Sequence, residues 1–385
     1  MNNQTFTEKY YIDRETTASI KWNRGKQLNC LPMWIADMDF CCDDMIIQKL
    51  TDFIDYGDYG YANLPEDYYD TVIAWHKKRN HVAYQQEWFR ASKGAVNAMY
   101  QIILSLTKEG DSIMINTPLY PPFRNTILST RRKVVESKLL DNDGYFTFDY
   151  ADIEKKFKEK KVKMLMLCSP HNPVGRVWKE GELEELFALC KKHRVLICSD
   201  EVHSDIIMPD QTFYPALSFK AYQDRIISII AASKSFSLAV FEHSHIIIPN
   251  EKLRDKLIRY QQANNYGRIN VMNALPTYYA YKYGEEWMDA LNNVVFENYH
   301  YFKDHLGSDL KMTILEGSYL LFVDLGKYND RQSASECLIE NCHILTNPGE
   351  AFSKKYNNWV RINLATSLEN IKKAVDAIEK YLETK

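Results

Sequence analysis

Five short runs in the middle of the chain, 112–116, 163–168, 195–199, 226–231 and 244–248, are apolar along nearly their whole length. They do not alternate apolar with polar residues, so each predicted strand has no face to give to water. Such strands must be covered on both sides. Amphipathic stretches between them, such as 180–193, supply helices for that purpose. The pattern predicts an α/β fold: a large domain with a mostly parallel sheet, covered by helices on both faces. The last third reads differently. Helical patterns cover 251–263, 270–305 and 368–384, with strand-like runs at 319–324 and 359–364. This predicts a smaller α+β domain at 281–385, a large domain at 46–280, and an N-terminal arm at 1–45 that joins the small domain. The boundary near 280 falls within a long helical pattern. With 385 residues and 45% hydrophobic content, the chain can bury cores of this size.

Charge and composition exclude several roles. The formal net charge is −3 and the basic residues are dispersed. That is not the footprint of a nucleic-acid binder. Lys77-Lys78-Arg79 and Lys155-Lys156 read as solvated helix faces. Met1 to Tyr10 is polar and lacks the apolar stretch of a secretory signal. No apolar run approaches the roughly 18 residues of a membrane span. Eight cysteines occur without CxxC spacing, which points to a reduced, cytoplasmic chain with no metal site. Cys168, Cys190 and Cys198 lie in apolar patterns and read as small core residues.

In open α/β sheets, ligands bind beyond the carboxyl ends of the strands. Three such ends carry polar residues: Ser169-Pro170-His171-Asn172-Pro173, Ser199-Asp200-Glu201 and Ser233-Lys234-Ser235. A fourth feature is Gly94-Ala95-Val96, which opens a helical pattern. Each has an ordinary explanation alone: a turn, a helix cap, a solvated lysine, a helix start. Their convergence fits pyridoxal 5′-phosphate (PLP). A lysine amine forms an imine with its aldehyde. A carboxylate keeps its pyridine nitrogen protonated, so that the ring withdraws electrons. An asparagine donates to its phenolic oxygen, and a helix start with a serine hydroxyl suits its phosphate.

Longer segments carry a resemblance. They are Pro32-Met33-Trp34-Ile35-Ala36-Asp37-Met38-Asp39-Phe40, Tyr59-Gly60-Tyr61, Thr117-Pro118-Leu119-Tyr120-Pro121-Pro122-Phe123, Ser169 through Trp178, Ser199-Asp200-Glu201-Val202-His203, Ser233-Lys234-Ser235-Phe236 and Val360-Arg361-Ile362-Asn363-Leu364. From about residue 28 to its end, the chain resembles the fold-type I PLP enzymes of the aspartate aminotransferase superfamily. The 32–40 segment and the Asp-Glu-Val-His form at 200–203 make the cystathionine β-lyase, or C–S lyase, branch the better match.

The resemblance implies a role for each residue. Lys234 would carry PLP and later move the Cα proton. Asp200 would pair with the pyridine nitrogen, Asn172 would contact the phenolic oxygen with His203 nearby, and Tyr120 would stack on the ring. Ala95, Val96 and Ser233 would hold the phosphate. Tyr61 would reach the cofactor of a second subunit, which implies a homodimer with shared sites. Arg361, with Asn172 and Trp34, would bind an amino-acid substrate. Tyr120 and His203 also read as structural groups, Trp34 as a pocket wall, and Arg361 as half of a structural ion pair. Three positions depart from the family. Ser237 stands in place of an asparagine, Val240 in place of a glycine, and Glu242 where many relatives put a phosphate-binding arginine. Arg268 is a candidate replacement for that charge. The implied activity is β-elimination from cystathionine, cystine or another cysteine S-conjugate. Transamination on the same residues is the alternative, and a PLP-fold binding protein with a regulatory role is a second.

Overall fold

The computed structural model describes every residue except Gly267 and Gln332. Its central sheet contains β1 (Phe89–Ser92), β2 (Ser112–Thr117), β3 (Lys133–Lys138), β4 (Val162–Cys168), β5 (Leu196–Asp200), β6 (Ile226–Ile230) and β7 (Ser244–Ile247). Their spatial order is β1-β7-β6-β5-β4-β2-β3. Pairing from β3 through β6 is parallel, and only β7 runs against both its neighbours. The alternation inside β2 explains its unbroken apolar run. Ile113 and Ile115 join one core cluster with Ala98, Ile102 and Ile103, whereas Met114 joins the cluster on the opposite face with Leu165 and Ile197. Both faces are covered, as the apolar runs require.

The two strands absent from the sequence reading, β1 and β3, form the sheet's edges. β3 is exposed or half-buried at five of its six residues, so it carries no continuous apolar run. The helical pattern at 270–305 is two helices, Val271–Tyr283 and Glu285–Leu306. Gly284 divides them. A Cβ there would lie 2.4 Å from the Phe236 ring and 2.7 Å from the Ala280 carbonyl oxygen, so only glycine permits this approach.

The C-terminal region holds a second sheet, order β8-β9-β11-β10, from β8 (Lys311–Met312), β9 (Leu320–Asp324), β10 (Asn347–Pro348) and β11 (Trp359–Asn363). These strands pair antiparallel. The N-terminal segment Leu31–Pro32 pairs in parallel with Ile344–Leu345. That pairing delivers Met33 through Asp37 to the last residue of β11, Asn363, whose N–H donates to the Met33 carbonyl. Among the described residues, no helix is long and apolar enough to cross a membrane.

Candidate active site

Strand order places the site. From β2 the chain moves one way to β3 and later the other way to β4, so a crevice opens beyond their carboxyl ends. Register brings the functional ends level. Asp200 pairs with Cys168 on one side and Ile229 on the other. Asn172 follows Cys168 by one turn, and Lys234 follows Ile229 by a short loop. Tyr120, after β2, donates its backbone N–H to the Asn172 carbonyl at 3.2 Å.

Three charged groups share this space without satisfying one another. The Asp200 carboxylate is buried and, among the described residues, accepts a hydrogen bond from the Val202 backbone N–H at 3.3 Å. Burial pushes its pKa up to about 7, against the pull of that N–H and the Lys234 ammonium. Lys234 donates from Nζ to the Ala36 carbonyl at 2.7 Å. Desolvation lowers the amine's pKa; Asp37 and Asp200 draw it up, and Arg361 pushes it down. Arg361 is 3% exposed. Its Nη1 donates to Asn172 Oδ1 at 3.0 Å and its Nη2 to Asn347 Oδ1 at 2.6 Å, while Nε has no partner among the described residues. No carboxylate among the described residues pairs with it, and burial lowers its pKa to about 10. The structural ion pair open to Arg361 from sequence is therefore not formed.

Around this centre, His203 is buried with Nδ1 unpartnered among the described residues, and desolvation lowers its pKa to about 3. It is a neutral imidazole. Tyr120 is half-buried, its phenol raised in pKa by desolvation and lowered by Arg361. Trp34 donates its indole N–H to the Lys21 carbonyl at 3.0 Å, so that donor is already used within the N-terminal arm. Ser233 is half-buried beside Lys234.

Helix Gly94–Leu106 begins without a side-chain cap, leaving backbone N–H groups around Ala95 and Val96 for an anion. Gly94 has φ +78°, a conformation suited to glycine, and turns the chain from β1 into that helix. Glu242 is exposed in a left-handed conformation, φ +44°. Arg268 stacks over the Tyr61 ring at 4.0 Å, and both line a cleft of about 560 Å³ with Lys93. Tyr61 is 92% exposed, and its ring contact is with Arg268 rather than with the buried charges of its own chain.

The fit to PLP rests on these observations. A buried carboxylate lacks a cation at its open end, an amine of lowered pKa stands nearby, and a helix start is uncapped. The sequence profile of the family described as aminotransferase class I and II matches residues 41–378. The chain belongs to the aminotransferase class I and II family. It is a PLP-dependent enzyme of that fold. Cystathionine beta-lyase PatB of Bacillus subtilis is 29% identical over 96% of this chain and 98% of its own length. Protein MalY of Escherichia coli is 28% identical over 94% and 95%. Among solved structures, PLP-containing cystalysin from Treponema denticola superposes with a TM-score of 0.92 at 31% identity, covering 97% of this chain and 98% of that one. Within this aminotransferase class I and II chain, sequence reasoning missed several groups at the site. They are the Ala36 carbonyl, Asp37, Asn347 and Asn363. The segment 32–40 was a signal for the first two; Asn347, preceding Pro348-Gly349, reads only as a turn.

Proposed function

We propose that this chain is a PLP-dependent C–S β-lyase. It would release a thiol, pyruvate and ammonia from cystathionine, cystine or a related cysteine S-conjugate. The observation that carries the reading is Arg361: a buried guanidinium, hydrogen-bonded among the described residues to neutral amides, beside the Lys234 amine. A free amino acid brings the missing carboxylate, and a two-pronged pair orients its Cα–H bond. The bound cofactor supplies an electron sink for the pair left when that bond breaks.

Lys234 then takes the Cα proton. Desolvation lowers its pKa, which favours the neutral amine that a base at Cα must be. Asp200 would pair with the cofactor's ring nitrogen and keep it protonated. The Cβ–S bond breaks, the thiolate leaves with its electron pair, and the enamine product hydrolyses to pyruvate and ammonia. Lyase chemistry is favoured over transamination by the names of the relatives, which include PatB and the C–S lyase of Staphylococcus hominis. We further propose that the active unit is a dimer in which Tyr61, exposed on its own chain, serves the partner's cofactor. The test is a panel of amino acids assayed for pyruvate and thiol. Pyruvate released from cystathionine without added keto acid supports the lyase. Turnover that requires a keto acid sinks it in favour of transamination.

A further inference from the structure

Ile35 occupies the left-handed region at φ +49°. A β-branched side chain is strained there, and such a conformation persists only where its surroundings enforce it. Two asparagines do so. Asn347 Oδ1 accepts the Ile35 N–H at 2.7 Å, and Asn363 Nδ2 donates to the Ile35 carbonyl at 2.9 Å and to the Asp37 carbonyl at 2.7 Å. The turn is closed by the Asp37 N–H, which donates to the Ile35 carbonyl at 3.0 Å. What this turn presents to the site is the Ala36 carbonyl, the acceptor for Lys234 Nζ.

Asn347 has a second task. It lies directly opposite Arg361 in the register of β10 and β11, and the same Oδ1 accepts Arg361 Nη2 at 2.6 Å. One carboxamide oxygen thus joins the arginine to the strained turn. Arg361, Asn347, Ile35, Ala36 and Lys234 form an unbroken series of hydrogen bonds and peptide links. A lysine that donates one N–H to Ala36 keeps its lone pair directed elsewhere, which is what a base at Cα needs.

We propose that Asn347 is a positioning residue that couples occupancy of Arg361 to placement of the Lys234 amine. The proposal rests on the reading of Arg361 as the carboxylate site. When a carboxylate engages the guanidinium, Asn347 holds both the arginine fork and the turn that orients the base. Substrate binding and proton transfer therefore share one support, and loss of Asn347 weakens both.

The experiment compares Asn347→Ala, Asn347→Asp and Ile35→Gly with wild type. In Asn347→Ala, KM for L-cystathionine rises and kcat falls, each by about tenfold, the equivalent of one charged hydrogen bond. The visible cofactor band on Lys234 is retained. Asn347→Asp keeps the oxygen acceptor for the Ile35 N–H and recovers most of kcat, but its carboxylate pairs with Arg361, so KM stays high. Ile35→Gly relieves the strain without touching Arg361, so kcat falls while KM stays near wild type. A readout independent of turnover uses the PLP-free full chain: acetylation of Lys234 by acetic anhydride, followed against pH by mass spectrometry. Its rate rises several-fold in Asn347→Ala and Ile35→Gly relative to the exposed Lys355. The proposal is overturned if Asn347→Ala raises KM alone, with kcat and Lys234 labelling unchanged, or if Asn347→Asp recovers nothing. If wild type yields no pyruvate from cystathionine, only the lyase reading falls. The variants are then compared by the spectral half-reaction with L-alanine, where the same split is expected.

Discussion

Replacing Arg361 with methionine separates recognition from stability, because the two effects have different sizes. The guanidinium is buried and has no carboxylate partner among the described residues. Its pKa falls from the ordinary 12.5 to about 10, chiefly by desolvation. A base with a depressed folded pKa weakens the fold wherever it is protonated. Here that penalty is complete below about pH 10 and fades only above it. At 1.36 kcal/mol per pKa unit the shift amounts to about 3 kcal/mol. Arg361→Met removes that cost, fills similar space, and gives up the hydrogen bonds to Asn172 and Asn347. Those bonds from a charged donor are worth about 1.5–3 kcal/mol each. The terms largely offset one another, so urea denaturation of the PLP-free chain at pH 7.5 should change by less than about 3 kcal/mol.

Catalysis has no such compensation. A desolvated pair with a substrate carboxylate is worth about 2–5 kcal/mol, so kcat/KM for cystathionine should drop from about 30-fold to several thousand-fold. The cofactor band should remain, and Arg361→Lys should recover little, because an ammonium cannot present two parallel donors. A carboxylate-free analogue, S-ethylcysteamine, should bind wild type and Arg361→Met equally in spectral titration. Near-normal kcat/KM in the variant would refute the carboxylate assignment. A stability loss above about 4 kcal/mol would instead place Arg361 in a structural network, since breaking a buried ion pair costs that much.

Three further outcomes are expected. Borohydride should fix the cofactor on a peptide containing Lys234, and Lys234→Ala should keep the fold while losing multiple turnover; labelling of another lysine would move the assignment. Mixed dimers of Lys234→Ala and Tyr61→Ala subunits should regain part of the wild-type activity, and none in confirmed mixed dimers would count against shared sites. The third concerns Asp200. An acid raised from 3.8 to about 7 favours its protonated form in the fold, so stability is lost as pH rises between those values and the loss is complete above about 7. The PLP-free chain should accordingly weaken from pH 5 to pH 8, with neighbouring Glu201, also raised to about 7, contributing. Asp200→Asn should be the more stable PLP-free chain at pH 8 by urea denaturation, and an unchanged pH dependence would show that Asp200 is already compensated.

How far the sequence carried depended on whether a residue's environment was written locally. β2, β4, β5, β6 and β7 announced themselves because both faces are buried. Edge strands β1 and β3 did not: β1 pairs with β7, more than 150 residues on, and β3 is too exposed to carry an apolar run. The convergence of Lys234, Asp200 and Asn172 was legible because each lies at or just beyond a strand end, and the parallel register brings such ends together. Arg361 was visible as a charge inside an apolar run, but its neutral partners were not. Asn347 and Asn363 act through backbone groups of Ile35 and Asp37 more than 300 residues away. No local pattern encodes that contact. The departures at Ser237 and Glu242 have one feature in common: both have positive φ, 58° and 44°. The backbone at these positions is unusual as well as the side chain, so matching residue types to relatives was a poor guide there.

The three charges at the site make conflicting demands. Desolvation drives Asp200 toward its neutral acid, Lys234 toward its neutral amine, and Arg361 toward a lower pKa than any exposed arginine has. A structure selected for stability alone would pair them with each other or replace them with apolar residues. Here the carboxylate keeps a backbone N–H, the guanidinium is bonded to amides, and the amine is bound to a carbonyl. On the proposed reading each deficit would have a complement in one loaded site: a cationic ring nitrogen for Asp200, an aldehyde for Lys234, a carboxylate for Arg361. The strain at Ile35 belongs to the same account, because it places the Ala36 carbonyl where the amine must rest when it is free. Binding of cofactor and amino acid would therefore stabilise this fold while assembling the chemistry, and the same residues that weaken the empty chain would provide the specificity of the loaded one.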